Sequence, residues 1–443
     1  MKARHYSWTV LALLIVGGRA WPDEASAVAT IEKLPGEVER AADEPGKPVV
    51  MVRLYGRMVT DAVLKELASF PQLKRLYLSA TNVTDEGMKE VSGLKQLREL
   101  ILFRTGVTDA GLKELAALGQ LQLLLLGDTQ VTDEGLKELA PLKHLRVLEL
   151  AGTKVTDEGL KALAGLKQLR KLDLSRTRLE GTGMKQLAGL TKLRTLNFYH
   201  TKMTNAGLKE LSAFKELEEL DLSGTNVTDR GLKGISSLKQ LRLLNLMDTR
   251  VKDVGMKEIA GLKQLRVLIL NRIGVGDAGL KECAGLTQIR QLYISSTKVT
   301  DAGLKELADL KQLRELNLSR TGVSDAGLKQ LAGLTQLREL VLSRTGVSDA
   351  GLKQLAGLRQ LRKLVLIDTK VTDTGVQELQ KALAKCKIWL HPNTSSPFPV
   401  HRFPVLKPGP RQVGLTYGAR VAVGAVPAAG PPPPPTPEPD MLD

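Results

Sequence analysis

From Val49 to Leu390 the apolar positions keep one 24-residue phase, plainest over Thr321–Arg344, TGVSDAGLKQLAGLTQLRELVLSR. The next 24 residues, Thr345–Asp368, differ from it at four positions. Two spacings alternate inside each unit. Leu100 and Leu102 bracket a short run in which successive side chains face opposite ways, which predicts a strand. Leu112, Leu115 and Leu118 recur at helical spacing and predict one buried stripe. Fifteen strands are expected at 24-residue steps, the last at Ile388–Leu390. Parallel strands need a crossover, and Asp109–Leu118 is expected to supply it as a helix. An unbroken period of this length means a solenoid.

Two polar rows run with the apolar frame. Thr stands at 81, 105, 129 and onward to 369, with Ile273 the single exception. Gly stands at every step from Gly87 to Gly375. The Thr row is expected to bond backbone groups between turns, since buried peptide groups need partners. Thr108 and Asp109 suit a helix N-cap and first turn. Glycine is costly inside a helix, so the Gly row implies close packing between units or a backbone requirement. Ile273 lacks the hydroxyl and Gly276 replaces the cap Thr, so an irregularity is expected near Ile273–Gly276.

These residues resemble the leucine-rich repeat family. The frame LxxLxLxxTxV is carried by Leu97, Leu100, Leu102, Thr105 and Val107. TDxGLKxLxxL follows at Thr108, Asp109, Gly111, Leu112, Leu115 and Leu118. The unit is similar to the ribonuclease-inhibitor and cysteine-containing subtypes, with Thr in the Asn/Cys position. The resemblance implies an α/β leucine-rich-repeat solenoid, a horseshoe with parallel strands on the concave face and short helices on the convex face. It implies no activity.

The ends differ in composition. Residues 1–20 are expected to be a signal peptide, with Lys2 and Arg4 ahead of the apolar run Trp8–Val16. An uncleaved anchor is the alternative, and no transmembrane span is expected in the mature chain. Residues 21–48 are assigned to an N-terminal cap, with a helix in Ala25–Leu34 and a strand in Glu37–Arg40, because an array exposes apolar ends. The array is placed at 49–390. Residues 391–443, ending in a Pro431–Pro435 run, are expected to be a disordered Pro-rich tail. Export to the periplasm, cell envelope or medium follows from the leader.

Net charge is +16. Lysines recur in the helices from Lys65 to Lys353, and arginines precede most strands from Arg98 to Arg362. Copying one unit creates such rows automatically, and a solvated outer face accounts for them. A polyanion partner is the functional alternative. Cys283 and Cys386 sit more than four steps of about 4.8 Å apart, beyond disulfide reach.

The chain carries no CxxC, HExxH, phosphate-cradling glycine loop or nucleophile elbow. Its five histidines pair with no nucleophile through the frame. No enzyme activity, cofactor, metal or specific nucleic-acid recognition is expected. Glu149, Asp173 and Asp221 share one row with Asn197 and Asn245, which reads as an ordinary wet sheet face rather than a cation site.

The remaining signal is aromatic. Phe70, Phe198 and Phe214 take core positions, while Tyr55, Tyr77, Phe103, Tyr199, Tyr293 and Trp389 fall on predicted concave positions. Ile101, Leu123, Leu125 and Val147 adjoin Phe103, and Leu243, Met247, Val267 and Ile269 form a second apolar group. Exposed apolar clusters mark interaction surfaces, and aromatics are favoured anchors. The expected function is a non-catalytic, exported protein-interaction scaffold with a protein ligand on the concave face. The alternatives are a polyanion or cell-envelope binder using the Lys and Arg rows, a spacer displaying the tail, and a substrate receptor like those of ubiquitin-ligase adaptors.

Overall fold

The computed structural model describes residues 24–44 and 46–391. The expected signal peptide, and all of the expected tail except His391, lie outside the described residues. Sixteen strands form one sheet in simple sequence order. α1 (Glu24–Ile31) turns Ala27 and Ile31 into the core. β1 (Gly36–Arg40) then pairs antiparallel with β2 (Val49–Leu54), Val38 opposite Val52. From β2 onward every pairing in this sheet is parallel. Each residue faces its counterpart 24 positions along, as Leu100 faces Leu124 and Leu340 faces Leu364. A second, narrower ladder of isolated parallel bridges links successive units beyond the strands, from Thr228↔Arg250 to Ser348↔Lys370.

The leucine frame fills one continuous core. Leu100, Leu102, Leu112, Leu115 and Leu118 are fully buried, and their equivalents continue the cluster to Leu379. Phe70, Phe198 and Phe214 occupy the same interior. The crossovers are short. Asp109–Leu115 is an α-helix, whereas Gly159–Gly165 and Thr182–Leu187 wind as 3-10 helices. The longest, Asp373–Ala382, follows the last full unit.

The Thr row works within each unit rather than between units. Thr105 Oγ1 donates to the Leu102 carbonyl at 2.7 Å, and the same bond three residues back recurs from Thr81 to Thr369. The hydroxyl satisfies a buried carbonyl where the strand ends.

The link between units is made by the Asp that opens each helix. Asp85 Oδ1 accepts from the Thr108 N–H at 2.7 Å and the Gly111 N–H at 3.0 Å, and Asp85 Oδ2 accepts from the Thr108 hydroxyl at 2.6 Å. A Cβ on Gly111 would lie 2.5 Å from Asp85 Oδ1. The Gly row therefore reflects close approach of a carboxylate from the preceding unit. Its bonds to the N–H and hydroxyl of the following unit's Thr or Ser recur at Asp109, Asp133, Asp277, Asp301, Asp325 and Asp349.

The clamp also explains why no irregularity develops at Ile273–Gly276. Strand Val267–Ile269 and helix Asp277–Glu282 are intact. Asp253 Oδ1 accepts from the backbone N–H groups of Gly276 and Gly279 at 2.7 and 3.0 Å, so the missing hydroxyl leaves these bonds in place. The real departure lies elsewhere. Gly181 stands where the clamp Asp belongs, at φ +93°. Thr204 N–H and Oγ1 reach the Glu180 carbonyl instead, at 3.0 and 3.1 Å.

Candidate interaction surface

Strand alternation gives the sheet an open face made of two residues from each three-residue strand and one just past it. One row contains Glu99, Leu123 and Val147, the next Ile101, Leu125 and Glu149. Met51, Tyr77, Ile101 and Leu123 form an apolar cluster separate from the main core, with Phe103, Leu125 and Val147 packed against it. The residues between them, Leu100, Leu102, Leu124 and Leu126, belong to the core. Facing is therefore as the alternation predicts. Met51 joins this cluster without having been singled out in the sequence. It shares a register row with Arg75 and Glu99, on the first parallel strand, and its apolar character was the available signal.

Exposure is smaller than the sequence suggests. Ile101 is 6% and Leu123 7% exposed, and Tyr77 is 5%. Strands about 4.8 Å apart bring side chains of one face into lateral contact, so the patch covers itself. The accessible apolar surface is carried by half-buried Phe103, Leu125 and Val147. Tyr55, just past the end of β2, is 52% exposed. Charges frame the patch. The Arg53 guanidinium lies 5.2 Å from the Tyr77 ring centre and that of Arg104 5.1 Å from Phe103. Tyr77 donates to Glu99 at 2.6 Å. Gly127 leaves room for Phe103, since a Cβ there would come within 2.9 Å of its ring.

The other predicted residues stand apart. Tyr199 is half-buried and meets His200 edge-on, with ring centres 4.3 Å apart. Tyr293 neighbours Ile269 in register and donates to Glu315 at 2.5 Å. Burial, then that bond, raises the Tyr293 phenol above its ordinary range. In the second apolar group Leu243, Val267 and Ile269 are buried and Met247 is half-buried. Trp389 closes the sheet beside Val365, with Lys363 Nζ 6.0 Å from its ring centre. Of the nine candidates, five thus join one cluster near the N-terminal end, and Tyr55, Tyr199, Tyr293 and Trp389 lie outside it.

A polar stripe separates the apolar groups. Glu149, Asp173, Asn197, Asp221 and Asn245 are consecutive in register. Asn197 donates to Asp173 at 2.8 Å, and Asn245 to Asp221 at 3.2 Å. Asp173 and Asp221 also accept the N–H two residues on, from Ser175 and Ser223 at 2.9 and 2.8 Å. These bonds turn the chain at the strand ends. Burial pushes Glu149 up to about 7, and the neighbouring Asp173 charge adds to it. Burial likewise pushes Asp221 up to about 6, against the Ser223 hydrogen bonds that favour its anion. Among the described residues no group of three or more His, Cys, Asp or Glu is arranged to hold a metal.

The rim at the strand ends is left-handed. Arg104, Asp128, Arg176, His200, Arg320 and Arg344 have φ between 52° and 57°. Asp128 joins Arg104 at 3.0 Å and Arg176 at 2.9 Å, across the glycine at 152.

Comparison with known proteins agrees with this geometry. A profile described as a leucine-rich repeat region matches residues 200–399, and two leucine-rich repeat profiles match 167–227 and 142–164. Among solved structures, the chain is similar to an internalin from Listeria monocytogenes, at 20% identity, covering 84% of this chain and 94% of that one with a TM-score of 0.58. A leucine-rich repeat protein of Leptospira interrogans is similar at 23% identity, over 82% of this chain and 97% of that one, with a TM-score of 0.59. No curated protein matches. No helix among the described residues is long and apolar enough to cross a membrane.

Proposed function

Since the chain belongs to the leucine-rich repeat family, whose stacked units offer one long surface to partners, we propose that it is a non-catalytic scaffold that binds a protein on the open face of its sheet. The observation that carries this reading is the apolar cluster around Ile101 and Leu123, which lies outside the core on the solvent side of the strands. Phe103 and Leu125 form its accessible crest, and Arg53 and Arg104 form a charged margin. An apolar centre with a polar rim is the anatomy of a protein contact. Aromatic and arginine side chains are its usual anchors. Tyr55 extends the same surface past β2. The basic start and apolar run of Met1–Ala20 support an exported reading, with a partner outside the cytosol.

The test is Phe103→Glu with Leu125→Glu, in the full chain. The double variant is expected to keep its thermal melt within a few degrees and to lose the partners that the native protein captures. An unchanged set of captured partners removes this reading.

A further inference from the structure

The strongest unexplained feature is at the opposite edge of the sheet, where each unit enters its strand. Arg242, Arg266, Arg290, Arg314, Arg338 and Arg362 occupy one row on six consecutive units. Each is tied directly to the next through the backbone, the N–H of one donating to the carbonyl of the previous one at 2.7–2.8 Å. Their Cα atoms therefore climb the sheet in register, at the strand spacing of about 4.8 Å. No acidic residue interrupts the row between Arg242 and Arg362. Toward the N-terminus it is broken, by Gln122 and by Glu218, which bridges Arg194 and Arg242 at 3.0 and 3.1 Å. Copying of a unit explains why arginines recur. Among the described residues the five arginines from Arg266 to Arg362 have no ion-paired carboxylate, whereas Arg242 is held by Glu218.

The local chemistry is that of closely stacked guanidinium groups with donors to spare. The Nε atoms of Arg266, Arg290 and Arg314 are buried and have no hydrogen-bond partner. Buried donors are ordinarily satisfied. Arg362 spends one terminal nitrogen on the Arg359 and Leu361 carbonyls. Two carboxylates of the adjoining strands are engaged on the open face. Glu315 accepts from Gln291 and Tyr293, and Glu339 meets Lys363 at 3.3 Å. Burial, then the charges of Arg242 and Arg290 on either side, lowers the Arg266 pKa from its ordinary value. Like charges stacked this closely favour an anion laid across them.

We propose that this arginine ladder binds a linear acidic polysaccharide, laid across the strands along their entry edge. Guanidinium forks match carboxylate and sulfate oxygens. Two residues ahead of each arginine stands a glutamine, from Gln240 to Gln360 without a gap. A row of uncharged amides beside a row of cations suits a polymer that alternates anionic groups with hydroxyls. Single-stranded nucleic acid fits less well, because its binding sites interleave aromatic faces with cations and neither row contains an aromatic residue. This site is independent of the sheet-face cluster near Ile101.

The experiment measures binding of the full chain to a fluorescent heparin oligosaccharide, neutral dextran and oligo-dT across a salt series. Two triple variants are compared: Arg266→Gln/Arg290→Gln/Arg314→Gln, and Lys257→Gln/Lys281→Gln/Lys305→Gln, which removes equal charge from the helices. The ladder variant is expected to bind heparin about tenfold more weakly or worse and with a flatter salt dependence, while the helix variant retains native affinity. If the ladder triple melts early, Arg290→Gln alone serves, with a smaller loss expected in the same direction. Equal losses in both variants, heparin binding no stronger than dextran, or oligo-dT binding as tight as heparin each overturn the proposal.

Discussion

Asp85 and Gly111 are 26 positions apart, yet each explains the other. The carboxylate collects three donors from the following unit, two of them backbone N–H groups. The space that it fills is the space a side chain at Gly111 would need. Gly111→Ala should therefore destabilise the protein by about 1–3 kcal/mol through overpacking, although alanine favours helices. Gly119→Ala is the control, since nothing lies within 4 Å of a Cβ there. It should be neutral or slightly stabilising. Chemical denaturation of the two variants decides it, and equal stability would mean that the clamp yields without cost. From sequence, the Gly row was legible as close packing or a backbone requirement. Its cause was not, because spacing cannot say which residue of the preceding unit fills the gap. The Thr row misled for a similar reason. A short hydroxyl bonds the nearest free carbonyl, three residues back in its own unit.

At the scale of the element, the strand decides which side chains face out, and alternation made that legible for every strand. The degree of exposure was not legible. Lateral contact between neighbouring strands hides Ile101 and Leu123 on a face that is nominally open. The same crowding acts on charge at Glu149. Its carboxyl holds a proton up to about pH 7 in the folded chain, above the ordinary glutamate value of about 4.3. A raised folded pKa means that the native state binds the proton more tightly. The associated stability is present below the ordinary range and is lost as pH rises through about 7. Glu149→Gln should accordingly raise the melting temperature at pH 8 and change it little at pH 5. A melting difference that does not vary with pH would remove burial as the cause. Asp221 should add a weaker trend of the same sign, since it is pushed up to about 6.

At the scale of the whole array, the strand pairing and the Asp clamp keep their offsets from unit to unit. Strand pairing is 24 residues apart, and the Asp clamp spans 23 and 26. Excision of Thr321–Arg344 should thus bring Ser348 to Asp301 in place of Ser324, and Glu315 opposite Lys363. The shortened protein should fold, with a circular dichroism signal per residue unchanged and a denaturant m-value reduced in proportion to length. Loss of cooperative unfolding would show that distant units contribute more than neighbour contacts. This architecture was the most legible level of all, because a period declares itself without any knowledge of packing. The Ile273 irregularity failed as an expectation because the clamp reads main-chain donors, which every residue but proline supplies.

Linkage between units varies, with an amide at Asn205 in place of the carboxylate. At one seam no side-chain acceptor remains, and this sets where the ribbon is easiest to part. Between the unit holding Gly181 and the one holding Thr204, a charged acceptor gives way to a peptide carbonyl. A chain stretched from both ends, or warmed until it first opens, would yield at that seam before any other, leaving two shorter coils that each keep their own fastening.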